Sequence, residues 1–279
     1  MKTLILSDIN HNNSGIIPYA LRFCQDINSD VRVVHVVDTR DNQGIYSAYS
    51  ASQNVTPEVQ SFDEIIRKET KKSEDYVAKH VGREVSVINF QGKIEHEVIV
   101  GQLDEIITRE CSNNDISLLV MAATPEGDDW STTDDIFYLV AHTPVPVLLL
   151  PSGISYTKPG KAFYVASPKE QTHTEVEKAI GFTRSLNIPV EAMITDGNKE
   201  QRQFIKNEND WKTVAESTTG FHVIDSTDEM SIHEFARRKD AGMLLIFEKK
   251  RNILQRVVNK SLTEKLSAIT EIPVLVFYN

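Results

Sequence analysis

The chain has 279 residues, 40% hydrophobic and 25% charged, the composition of an ordinary globular protein and enough length for two domains of roughly 100–200 residues. Its net charge of −10 argues against a general nucleic-acid binder, because neutralising phosphates needs a basic face. No apolar run approaches the roughly 18–20 residues needed to cross a bilayer.

The start, MKTLILSDIN, reaches Asp8 after one short apolar run, which predicts no secretory signal. Cys24 and Cys111 lie far apart in helix-like segments and read as reduced thiols, so a cytoplasmic protein is expected. Thr3–Ser7 (TLILS) predicts a strand, Gly15–Ile27 a helix, and Val31–Val37 (VRVVHVV) a second strand too continuously apolar to be half exposed. A polar stretch follows, Asp38–Thr56, with Tyr46 and Tyr49; it reads either as a cover over a pocket or as a surface connection. Pro57 then opens a charged helix to about His80. Glu84–Phe90 is the predicted third strand and Leu103–Cys111 a helix. Leu118–Ala123, Asp134–Ala141 and Val145–Leu150 follow as strand, helix and strand. Strands separated by helices predict βαβ units and a parallel sheet.

Residues 152–160 (SGISYTKPG) have no periodicity and read as a linker between a first domain, 1–151, and a second, 161–279. The order then repeats. Strands are predicted over Ala162–Ala166, Val190–Ile194, Phe221–Ile224, Met243–Phe247 and Val274–Phe277. Between them fall helices over Glu175–Leu186, Lys199–Ala215, Ser231–Arg238 and Leu254–Ile269. The halves close on matching phrases, HTPVPVLLLP and TEIPVLVFYN, the mark of an internal repeat. Charge is not shared equally: residues 1–151 carry 12 Lys/Arg against 23 Asp/Glu, and residues 152–279 carry 18 against 17.

The segments VVHVVD (Val33–Asp38), VIVGQLDEIITRECSNNDISLLVMA (Val98–Ala122) and PVPVLLLP (Pro144–Pro151) together resemble the universal stress protein family. So do MLLIF (Met243–Phe247) and KSLTEKLSAITEIPVLVF (Lys260–Phe277) in the second half. The resemblance implies an α/β fold of two tandem five-stranded, mostly parallel sheets flanked by helices, Rossmann-like and similar to the adenine nucleotide alpha hydrolases. It further implies a pseudo-dimer within the chain whose end strands, Val147–Leu150 and Val274–Phe277, pair with each other; a homo-oligomer would be compatible with it.

Nucleotide-binding members of that family follow strand four with G-x-x-G-x9-G-[ST], whose backbone amides hold phosphates. Set on the second half, the three glycine positions fall on Phe247, Lys250 and Lys260, and the hydroxyl position on Ser261. A Cβ at such places blocks backbone approach. In the first half the first two positions fall near Ala122 and Pro125, and the loop EGDDWSTTDD is short and acidic. Asp8 matches the acidic residue that members place near adenine and ribose, and Ser167–Pro168 stands in its place in half two. The resemblance is therefore to the branch that binds no ATP in the usual way. No cofactor is expected, with ATP or AMP as the alternative.

Candidate ligand-binding residues are Asp8, Val36, Val37, Gly101 and Ala122 in half one, and Lys249, Lys250, Lys260 and Ser261 in half two. Gly101 reads either as a site residue or as a helix-start glycine. The basic run around Lys249–Lys260 reads as an anion site, a solvated helix start, or a patch facing the acidic loop of half one. His35, in a buried strand, reads as a hydrogen-bonded core histidine. No metal-ligand spacing, hydrolase elbow, P-loop or dinucleotide fingerprint is present, so no catalytic or metal residue is assigned. The expectation is a non-enzymatic stress-response protein that binds a protein partner or senses a small ligand, with no nucleic-acid or membrane partner. The alternative is a nucleotide-binding or weakly hydrolysing module using a pocket near Asp8.

Overall fold

The computed structural model describes residues 1–7, 15–40, 61–113, 115–123, 139–166, 173–195, 218–224, 226, 228–248 and 262–278. They divide into two compact units, Met1–Val145 with Ser152–Tyr156, and Pro146–Pro151 with Thr157–Asn279.

Unit 1 holds four parallel strands: β1 (Lys2–Leu6), β2 (Asp30–Asp38), β3 (Ile94–Gly101) and β4 (Ile116–Ala122), in the spatial order β3-β2-β1-β4. Three helices accompany them, α1 (Ile16–Asp26), α2 (Phe62–Ile88) and α3 (Leu103–Asn113). Strands β1, β2 and β4 carry the apolar core of the unit. Leu4, Ile5, Val33, Val34, Leu118, Leu119 and Val120 are wholly buried, as expected where helices cover a parallel sheet. Helix α1 tolerates Pro18 because it sits in the first turn, where its missing N–H has no partner to lose.

The third strand is not where the alternating EVSVINF suggested. Residues 84–88 complete α2, a 27-residue helix. A capping box starts it: Ser61 Oγ accepts the Glu64 N–H, and Glu64 Oε2 accepts the Ser61 N–H. Its buried stripe is Ser73, Val77, Val81 and Glu84, so helical spacing overrides the two-residue alternation. Glu84 is held there by Arg22 Nε at 2.6 Å from α1, and Asn89 in the left-handed region (φ 50°) ends the helix. Strand β3 is instead the polar IEHEVIVG. It lies at the sheet edge, where Glu95 pairs with Lys2 at 3.0 Å and Glu97 with Arg32 at 2.7 Å. Ion pairs to β2 and, across it, to β1 thus replace the apolar contacts of a central strand.

Unit 2 holds six strands: β5 (Val147–Leu150), β6 (Ala162–Ala166), β7 (Val190–Thr195), β8 (Gly220–Ile224), β9 (Met243–Glu248) and β10 (Val274–Tyr278). Their order is β5-β10-β9-β6-β7-β8, all pairs parallel except β5 with β10. Helices α4 (His173–Ser185), α5 (Glu229–Arg238) and α6 (Leu262–Ile269) belong to it. The ten described strands are therefore not arranged as two five-stranded sheets. β5, the expected last strand of half one, pairs antiparallel with β10, Val274 facing Leu149 and Val276 facing Val147. The two end strands do meet, but their pairing gathers β5 into the second unit, because four wholly buried residues, VLLL, need an apolar neighbour.

The segment read as a linker is fastened at both ends. Tyr156 donates to Asp26 at 2.6 Å and sets its ring edge-on to Tyr19 at 5.0 Å, inside unit 1. Pro159 lies against Gly242 in unit 2, so closely that a Cβ on Gly242 would come within 2.7 Å of it. Of the helix expected over Asp134–Ala141, residues 139–141 are described and are helical. The one expected over Lys199–Ala215 lies outside the described residues, as do residues 254–261 of the last helix. Among the described residues no helix is long and apolar enough to cross a membrane.

A polypeptide of residues 1–151 would carry β5 without β10 and so present an open, wholly apolar edge. Size-exclusion chromatography should show it self-associating. A monodisperse monomer would mean that β5 is satisfied without its partner.

Candidate functional site

Because β1 to β4 run parallel, their C-terminal ends lie along one edge of unit 1, the edge where open α/β sheets hold ligands. Val36, Val37, Gly101 and Ala122 all reach it. Val36 stands opposite Ile99, Val37 opposite Val100, and Asp38 opposite Gly101 on the neighbouring strands β2 and β3. Ala122, 7% exposed, ends β4 on the far side of β1. Asp8, the remaining candidate of this half, lies outside the described residues, as does Tyr46–Val59.

His35 and Ser7 fix the end of β1. The Nδ1–H of His35 donates to the Ser7 carbonyl at 3.0 Å, with Ser7 Oγ 3.4 Å from the same nitrogen. The Ser7 N–H in turn donates to the Val34 carbonyl at 2.8 Å. Both side chains are buried, so His35 is a hydrogen-bonded core histidine that settles where the chain leaves β1.

Asp38 organises the same edge and was visible in the sequence only as the last letter of VVHVVD. Its Oδ2 accepts the Leu103 N–H at 3.0 Å, satisfying one of the free amides at the start of α3. Arg40 grips it with Nε to Oδ1 at 3.1 Å and Nη2 to Oδ2 at 2.7 Å, while the Arg40 N–H donates to Oδ1 at 2.9 Å. Arg40 Nη2 also meets Asp104 at 3.1 Å, and its side chain is half exposed. Burial alone would raise the Asp38 pKa, but the bonds from Arg40 and Leu103 outweigh it and hold the carboxyl below its ordinary range. Spacing offered a weak signal for this cluster: an acid ending an apolar strand and a basic residue two places on, the span of a one-turn fork.

Gly101 has a backbone reason to be glycine. Its φ of +153° is rarely adopted by other residues, and a Cβ there would meet Ile106 Cδ1 at 3.0 Å. This conformation ends β3 and turns the chain into α3.

In unit 2 the cluster Lys249, Lys250, Lys260 and Ser261 lies outside the described residues, but both flanks are described. Phe247, at the first expected glycine position, is buried in β9 and lies opposite Phe277 of β10, the rings parallel to within 1° and 6.3 Å apart. Glu248 ends the strand and is 9% exposed. Its Oε1 accepts the Thr263 N–H at 2.7 Å, in the first turn of α6, and its Oε2 accepts the Tyr278 hydroxyl at 3.2 Å. It directly follows Phe247 in the chain.

Elsewhere in this unit Glu191 accepts from His222 Nε2 at 2.8 Å and Lys161 Nζ at 3.1 Å beside the rings of Phe163 and Phe235. Burial would raise the Glu191 pKa, and these two partners lower it on balance. Burial pushes the Cys24 and Cys111 thiols up to about 12, which leaves them protonated and unreactive at neutral pH. Among the described residues no three His, Cys, Asp or Glu side chains are placed to hold a metal ion.

No protein-family model matches this chain, and no curated protein does. Solved structures do. A universal stress protein from Archaeoglobus fulgidus DSM 4304 superposes over 100% of this chain and 96% of its own, with a TM-score of 0.65 at 12% identity. A putative universal stress protein from Pseudomonas aeruginosa UCBPP-PA14 covers 99% and 92%, with a TM-score of 0.58 at 13% identity. A functionally unknown protein from Pseudomonas aeruginosa PAO1 covers the same shares with a TM-score of 0.57 at 13% identity. The chain thus has the universal stress protein fold along its whole length.

Replacing Asp38 by Ala should destabilise the protein by about 1–2 kcal/mol at neutral pH, the usual cost of a lost helix cap. Because the folded pKa lies below the ordinary 3.8, the contribution is fully present above that value and is lost as pH falls through the folded one. Urea unfolding of wild type and Asp38→Asn should therefore converge on acidification below about pH 4. A gap independent of pH would show that the carboxylate charge is irrelevant.

Gly101→Ala should lower stability by about 1–3 kcal/mol, from an unfavourable φ and the Ile106 contact. An unchanged thermal midpoint would point instead to a ligand-facing role for this glycine.

Proposed function

We propose that this chain is a tandem universal stress protein that performs no chemistry of its own and acts by binding a protein partner or sensing a small ligand, without holding ATP in the family's usual way. The observation that carries the reading is Phe247. Where a phosphate-cradling loop begins with glycine, this chain places a buried phenyl ring packed in the sheet against Phe277. A backbone amide beside such a ring cannot be approached as closely as one beside a glycine. A cytoplasmic location and assembly into a homo-oligomer go with this reading.

A second reading has one observation in its favour. The C-terminal edge of unit 1 carries a half-exposed guanidinium, Arg40, and the small residues Gly101 and Ala122 end β3 and β4 along the same edge. An adenine nucleotide such as ATP or AMP, held beside Asp8 and the backbone of Val36 and Val37, would use that edge.

Native mass spectrometry of the purified full chain, titrated with ATP, AMP and cyclic AMP, separates the two. The expected spectrum shows protein without stoichiometric nucleotide at any point of the titration. Saturable binding in the micromolar range, weakened by Asp8→Ala or Arg40→Ala, would establish the second reading in place of the first.

A further inference from the structure

The geometry points to Glu248 as the resident anion of unit 2: a side chain that occupies the start of α6 and so excludes phosphate-bearing ligands from that end of the sheet. The inference rests on the reading that unit 2 holds no phosphate ligand and names the group responsible.

A helix start presents amides with no partner inside the helix, and its dipole favours negative charge, which makes it a ready anion position. Thr263 is the second residue of α6, and its N–H is one of those amides. A carboxylate of the chain itself already sits on it, 2.7 Å away, delivered by the last residue of the neighbouring strand. Its other oxygen is taken by the Tyr278 hydroxyl at 3.2 Å, and Tyr278 stands opposite Glu248 in the β9–β10 register. A buried carboxylate is tolerated only when hydrogen-bonded, and here each oxygen has a donor.

A second observation marks the place as polar beyond what Glu248 uses. The hydroxyl of Thr263, wholly buried, has no hydrogen-bond partner among the described residues. One residue therefore offers an amide, now engaged, and a spare hydroxyl, the pair of donors that a phosphate oxygen would take.

Competition at this place is unequal. Glu248 is tethered, so its effective concentration at the Thr263 amide is on the order of millimolar or higher, whereas a free phosphate arrives at its own concentration. The phosphate also meets a like charge within a few ångströms in partly desolvated surroundings. Tyr278 strengthens the tethered group further by donating to it.

The test uses the full chain in three forms, wild type, Glu248→Ala and Glu248→Gln, with inorganic phosphate and pyrophosphate as probes. Binding is read by calorimetry and by the shift of the thermal midpoint. Glu248→Ala vacates the position and should bind pyrophosphate at least about tenfold more tightly than wild type, the direction set by removing one like charge. Should Glu248→Ala not fold, Glu248→Gln keeps an acceptor for the Thr263 N–H without the charge and should gain a phosphate-dependent thermal shift that wild type lacks. Glu271→Gln, an exposed acid of the same unit, should gain nothing. Wild type binding the probes as tightly as Glu248→Ala, or no gain in any folded Glu248 variant, overturns the inference. These outcomes are separate from nucleotide binding by wild type through unit 1, which would overturn the proposed function and leave the Glu248 result standing.

Discussion

Every helix opens with amides that its own hydrogen-bond ladder cannot reach, and in a parallel α/β sheet the helix starts are where charge and ligands gather. This chain answers that constraint from within. Ser61 caps α2, Asp38 accepts from the start of α3, Asp228 accepts the Ser231 N–H of α5, and Glu248 accepts the Thr263 N–H of α6. Two of these acceptors, Asp38 and Glu248, are the last residues of β2 and β9. Sheet and helix are thereby joined by a charge-assisted bond at the edge where a ligand would be expected.

That choice shapes what the edge can do. A carboxylate held by its own chain stabilises the fold and at the same time spends a donor that an external anion would need. In unit 1 the acid is paired with Arg40, a half-exposed cation at the same edge. In unit 2 the acid is buried, with a tyrosine as its second donor and no such cation among the described residues paired to it. The two units therefore carry different electrostatics at the C-terminal ends of their parallel strands, with the acid ending β2 in one and β9 in the other.

Much of the architecture was legible because burial writes itself into composition. LLVMA, MLLIF and VLVF are continuous apolar runs and VRVVHVV is interrupted only by Arg32 and His35, and each lies in a largely buried strand. The edge strand β3 was illegible for the converse reason. Its acids are supported by Arg32 on β2 and Lys2 on β1, partners 60 and more residues away that no local window contains. The alternating EVSVINF misled because Glu84 and Ser86 look like the exposed face of a strand. In fact Glu84 points inward, kept there by Arg22.

The site was legible only as far as residue type implies a backbone requirement. Gly101 could be singled out because a Cβ has the same bulk in any fold. The acids that reach the helix starts could not. Asp38 and Glu248 each act on an amide far along the chain, 65 and 15 residues on, and neither spacing matches a known motif.

Sequence alone determined the repeat, the parallel α/β class and the buried strands, all consequences of local composition and of the volume of a side chain. Tertiary structure decided that β5 joins the second unit, that an acidic segment forms the edge strand, and that two acids close two helix starts. The physical reason is common to all three. Strand partners, ion pairs and helix caps are chosen between segments distant in the chain, and their energies exist only once folding has brought those segments together.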